Sequence, residues 1–131
     1  MPDGRARGAP GVGRDRWHFI GAAGEPLFQN GWVNYGTGGT VDASYRKENG
    51  VVWLQGTVKN GSSAAIFTLP PGYRPALVPG GPTGVADQLI FAVMNTGACR
   101  RVDVYPGGQV NANGGTGTYL SLDGIRYLAE D

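Results

Sequence analysis

At 131 residues, with 40% hydrophobic and 10% aromatic residues and a formal charge of +1, the chain has the size and apolar content of one folded domain. That near-neutral balance, without clustered Lys and Arg, excludes the electrostatic footprint of a nucleic-acid or anionic-membrane binder. Cys99 is the sole cysteine, which rules out an intrachain disulfide and a CxxC redox or metal pattern. No apolar run approaches the roughly 20 residues of a membrane span, and the N-terminus lacks the apolar core of a signal peptide. The expectation is a protein kept in the cytoplasm unless it leaves inside a larger particle.

The first sixteen residues hold four glycines, two prolines and four arginines, with Val12 as the one aliphatic residue larger than alanine. Such a segment cannot bury a core, so residues 1–16 are expected to form an extended arm pinned on a partner chain. The folded domain is expected over 17–131. It opens with Trp17-His18-Phe19-Ile20, which alternates as a strand. Trp32, Tyr35 and Phe28 follow a glycine-rich turn and read as core or interface plugs.

Residues 41–47 alternate apolar and polar, and 51–58 are β-branched and apolar; Asn49-Gly50 between them predicts a hairpin with a type I′ turn. Asn60-Gly61 repeats the turn signal before the apolar run 64–69. Residues 87–95 form the most apolar strand, and its two apolar faces call for burial inside the domain or against another subunit. Pro106-Gly107-Gly108 turns the alternating stretch 100–105 back toward 109–112, and Asp123-Gly124 closes a last hairpin. No segment has ten residues of helical periodicity. About eight to ten strands at this spacing predict an all-β protein, an antiparallel sandwich.

The densest backbone constraint lies at Leu69-Pro70-Pro71-Gly72-Tyr73-Arg74-Pro75. Pro70 and Pro71 offer no N–H and stop the ladder at Leu69. Pro71-Gly72 supplies the two central residues of a type II turn, the second needing positive φ. Arg74, preceding Pro75, is pushed to extended geometry. With no acid, base or metal ligand in it, the corner reads as architecture: Tyr73 packs and Arg74 pairs with a carboxylate or carbonyl at a sheet or subunit interface. Gly72→Val should cost about 1–3 kcal/mol through the forbidden positive φ, read as a lowered melting temperature.

The inventory for catalysis is thin. His18 is the only histidine, which excludes a His-based zinc site, and no G-x-S-x-G motif offers it a nucleophile. Asp42, Glu48, Asp87, Asp103 and Asp123 are scattered, so a two-carboxylate glycosidase would need a pair from distant strands. The glycine-rich stretches 36–40 and 114–117 precede no helix and cradle no phosphate. Carbohydrate recognition needs only aromatics beside amide, carboxylate and guanidinium groups. Asn95, Arg100, Asp103, Tyr105, Gln109, Asn111 and Asn113 gather on one stretch and form either a plain polar β surface or a glycan-binding one.

Four motifs in this order, Gly24-Glu25-Pro26-Leu27-Phe28-Gln29-Asn30-Gly31-Trp32, Asn49-Gly50-Val51-Val52-Trp53-Leu54-Gln55-Gly56, the Leu69 to Pro75 corner and Leu120-Ser121-Leu122-Asp123-Gly124-Ile125, resemble a known family. It is the C-terminal β-sandwich head domain of bacteriophage tail fibre and receptor-binding proteins, particularly in phages of high-GC Gram-positive hosts. The resemblance implies a jelly-roll-like β-sandwich assembled as a homotrimer, located in the virion, serving particle structure and host-surface attachment without cofactor, metal or enzymatic activity. It implies as partners other copies of the chain, other virion proteins through residues 1–16, and host cell-wall glycan; nucleic acid and membrane insertion are not expected. Where such proteins carry a long shaft, sixteen residues precede Trp17, so a small protein docked on a tail tip, baseplate or capsid is expected. The competing readings are a capsid decoration protein without a receptor and a fragment of a carbohydrate-active enzyme, the latter requiring two carboxylates converging in a cleft.

Overall fold

The computed structural model describes residues 15–76, 88–114 and 118–130. Strands β1 (His18–Phe19), β2 (Val33–Asn34), β3 (Ser44–Glu48), β4 (Val51–Gln55), β5 (Thr57–Lys59), β6 (Ala65–Thr68), β7 (Leu89–Asn95), β8 (Ala98–Val104), β9 (Gln109–Asn113), β10 (Leu120–Ser121) and β11 (Arg126–Leu128) follow one another without a helix among the described residues. They form three antiparallel sheets in the orders β1-β3-β4-β11, β10-β5-β2 and β6-β9-β8-β7. The protein is therefore all-β, with sheets packed face to face as in a sandwich. Most of the expected arm, residues 1–14, lies outside the described residues, as does most of the loop after the corner.

Local chemistry places the hairpins. Asn49 and Gly50 take φ of 51° and 80°, the pair of positive values a type I′ turn needs. The turn sets the register Glu48↔Val51, Lys47↔Val52, Arg46↔Trp53. Alternation then divides the first sheet. Tyr45, Leu54, Val52 and Tyr127 face the core and are almost wholly buried, while Arg46, Glu48, Trp53, Val51, Arg126 and Leu128 share the outward face. Thr96-Gly97 makes the equivalent turn between β7 and β8, with φ of 44° and 82°.

Three stretches resolve differently from the sequence reading. The run 51–58 is two strands: Gly56, at φ 116°, ends β4 and starts β5, so the chain passes there from the first sheet into the second. This adds a strand beyond the expected count. Neither Asn60-Gly61 nor Asp123-Gly124 closes a hairpin, because β5 and β6, and likewise β10 and β11, belong to different sheets. Gly61 is instead required by a close approach, since a Cβ on it would lie 2.1 Å from the Trp32 ring. Trp32 is accordingly a core residue, 4% exposed, with its Nε1 donating to Ser62 O at 2.9 Å.

The core runs through all three sheets. Ile66, Phe67 and Leu69 from the β6 segment, Val102 and Val104 from β8, Val110 from β9, and Leu120, Leu122 and Ile125 near the C-terminus are buried with the inward residues of the first sheet. Apolar area removed from water at roughly 25 cal/mol per Å² is what holds these sheets together in the absence of a disulfide within the chain.

Candidate functional site

The corner is built as a clasp. Tyr73 N donates to Pro70 O at 3.2 Å, closing a four-residue turn in which Gly72 takes φ 92°, the value a type II turn demands at its third position. Gly72 N donates to the Glu130 carboxylate at 2.8 Å, and Lys47 Nζ donates to Gly72 O at 2.7 Å. Arg74 Nε donates to Leu69 O at 3.0 Å across the turn, and Leu69 N donates to Gly108 O. Beyond it, Pro75 bridges to Ala129.

Tyr73 carries this clasp into a polar cluster at the end of the first sheet. His18, whose side chain is 13% exposed, stands between two carboxylates: Nδ1 is 2.6 Å from Glu25 Oε2, and Nε2 is 2.9 Å from both oxygens of Asp15. Tyr45 donates its hydroxyl to Glu25 Oε1 at 2.5 Å, and Tyr73 donates to Asp15 Oδ2 at 2.6 Å. The His18 ring stacks on Tyr45 at 5.0 Å and meets Tyr73 edge-on at 5.4 Å. Asp15, assigned from sequence to the arm, is thus tied into the domain, and its N–H also donates to Lys47 O at 3.2 Å.

With a carboxylate at each ring nitrogen, His18 is held as imidazolium. Burial works against that charge, but the hydrogen bonds and charges of Glu25 and Asp15 outweigh it and raise the His18 pKa. Burial likewise opposes ionisation of Asp15 and Glu25, and their bonds to tyrosine and His18 outweigh it and lower both pKa values. Burial, followed by the bond to a carboxylate, pushes the Tyr45 and Tyr73 hydroxyls far up. Both imidazole nitrogens and both tyrosine hydroxyls are spent, and the two carboxylates converge on His18 with no gap between them for a sugar ring. Nor does the cluster form a set of metal ligands among the described residues.

The structure brings together only part of the seven residues singled out as a polar surface. On the outward face of the third sheet, Asp103, Asn111, Asn113 and Gln109 come together with Arg101. Asp103 is wholly buried there, gripped by Arg101 Nε and Nη2 at 2.8 and 2.9 Å and approached by Asn113 at 3.4 Å. The Arg101 bonds, burial opposing them, lower the Asp103 pKa. Arg100 lies on the opposite face of β8, and Asn95 is buried at the end of β7. Tyr105 stands in the β8–β9 turn, half-buried. Beside exposed polar residues such as Arg101 and Gln109, the sheet exposes apolar side chains on its edge strand β7, where Ile90 is 58% and Met94 48% exposed.

A second constellation lies on the outward face of the first sheet. A cleft of about 390 Å³ is lined by Trp17, Arg46, Glu48, Asn49, Val51 and Trp53. The Arg46 guanidinium sits over the Trp17 ring and that of Arg126 over the Trp53 ring, each at 5.2 Å, so a Trp-Arg-Trp-Arg ladder crosses the sheet. Arg46 Nη2 pairs with Glu48, while its buried Nε has no partner. Sequence reasoning did not assemble this cleft. The signal was present in the register of the Asn49-Gly50 turn, which sets Arg46 opposite Trp53.

No protein-family model matches the chain, and no curated protein matches it. Among solved structures, it is similar to the receptor binding protein (gp15) of Listeria phage PSA, with a TM-score of 0.53 and 21% sequence identity. The match covers 89% of this chain and 66% of that protein, just under two thirds of its length. The likeness is one of fold.

Proposed function

We propose that the chain is a structural component of a phage virion or tail-like particle, at the tail fibre, tail tip or baseplate, that contributes to attachment to the host surface. One observation carries this reading: across 89% of its length the chain shares its fold with a phage receptor-binding protein. The corner and the His18 cluster lock the strands into a rigid head, which is what presentation of a recognition surface requires. No motif in the chain supplies a nucleophile for an enzymatic alternative.

The head functions as a homotrimer, with residues 1–16 joining it to other virion proteins. β7 favours assembly: among the described strands it is an edge of the third sheet, and it exposes Leu89, Ile90 and Met94, an apolar edge of the kind that proteins cover or blunt. Light scattering on the eluting protein at micromolar concentration should give three times the chain mass, and a monomer would refute the assembly. Attachment is tested with fluorescently labelled protein on purified walls from a panel of Gram-positive bacteria. Saturable binding to walls of particular strains is the expected result; absence of binding across the panel, with the trimer intact, leaves a capsid decoration protein.

A further inference from the structure

We infer that the cleft between Trp17 and Trp53 is a saccharide-binding site, the place where the attachment proposed above is made. The three tryptophans divide sharply. Trp32 is buried and its indole N–H is satisfied by Ser62 O. Trp53, on an outward sheet face, is 36% exposed, and Trp17 is partly exposed. Neither indole N–H finds an acceptor among the described residues. Large aromatic surfaces held outward, with no partner for their polar edges among the described residues, are not needed for the core.

The polar groups of the cleft specify the ligand class. Arg46 and Glu48, the two charged residues that line the cleft, lie side by side and neutralise one another, so the lining itself carries no net charge. A hydroxyl, which donates and accepts from one atom, satisfies a guanidinium and a carboxylate together, and the Asn49 amide adds one more donor and acceptor. The buried, unpartnered Nε of Arg46 is a donor left unmatched where most buried polar atoms are paired, which marks this wall as unfinished. A pyranose presents both hydroxyls and an apolar C–H face suited to an indole ring. The ladder with Arg46 and Arg126 fixes both rings before binding, which limits the entropy lost on association. At about 390 Å³ the cleft falls within the roughly 300–1,000 Å³ of small-ligand sites.

The test uses the full chain labelled with ¹⁵N, titrated with the methyl glycosides of glucose, galactose, rhamnose and N-acetylglucosamine. At least one should shift the indole N–H signals of Trp17 and Trp53 saturably and leave Trp32 unmoved. Trp53→Ala should weaken binding about tenfold or more, with the unchanged Trp32 signal reporting an intact core, and Glu48→Gln should weaken it less. Failure of all four sugars to move these signals, an undiminished response in Trp53→Ala, or shifts confined to Gln109 and Asn113 on the other sheet would each overturn the assignment. The wall-binding assay separates this from the attachment reading. Wall binding that persists in Trp53→Ala sinks the cleft and leaves attachment standing; sugar binding without wall binding does the reverse.

Discussion

Gly56→Ala is expected to destabilise the protein by about 3–5 kcal/mol, a large share of the roughly 5–15 kcal/mol a domain of this size holds. Two independent costs add. Gly56 sits at φ 116°, outside the regions open to a residue with a side chain. A Cβ built there would lie 2.4 Å from Ala43 Cα, 2.5 Å from Ala43 N and 2.7 Å from Asp42 C, all backbone atoms that no rotamer change can move. Nor can the Gly56 backbone shift cheaply. Its N–H donates to Asp123 Oδ1 and its carbonyl accepts from Leu122 N, both at 2.7 Å, so moving it would pull the connection between β10 and β11 away from the sandwich. Gly50→Ala supplies the control. Gly50 also has positive φ, 80°, but nothing lies within 4 Å of its would-be Cβ, so it should lose only about 1 kcal/mol from backbone conformation. Urea midpoints of the two variants check this: equal losses would refute the close-approach argument.

The same contrast explains what could be read from the chain beforehand. Asn49-Gly50, Pro71-Gly72 and Asp123-Gly124 announce turns because the residues that need unusual φ are themselves the local signal: the first closes a hairpin, the second makes the corner, and the third turns the chain between strands of different sheets. Gly56 gives no such signal. It lies in a β-branched run, and what demands glycine is the approach of Ala43, thirteen positions earlier and just before β3. Gly61 is similar, required by the Trp32 ring and not by a turn. The polar groupings were harder still. Asp103, Asn111 and Asn113 lie on one stretch of sequence and share a sheet face, yet burial of Asp103 beneath Arg101 is a property of the folded surface. The His18 cluster joins side chains up to 58 positions apart, one of them in a segment whose composition reads as unstructured.

That cluster makes the stability of the protein depend on pH in both directions. His18 has a raised folded pKa, so its contribution is complete below its unfolded value near 6.5 and is lost as pH rises through the folded one. Asp15 and Glu25 have lowered folded values. Their contribution is complete above unfolded values near 3.8 and 4.5 and is lost as pH falls through the folded ones. All three act together between about 4.5 and 6.5, where the stability they add is greatest. His18→Phe keeps a ring against Tyr45 and Tyr73 but removes the one cation between two carboxylates. Stripping one member from a partly buried charge cluster leaves the others uncompensated, and the expected cost in this window is about 2–4 kcal/mol. Above the folded His18 pKa the wild-type imidazole is also neutral, so the gap between the two proteins should narrow steadily with rising pH. Denaturant midpoints measured across the pH range read this directly. A gap that stays constant from acid to alkaline conditions would show that His18 acts through its shape alone, and that the charge between Asp15 and Glu25 does nothing to hold the Tyr73 corner on the first sheet.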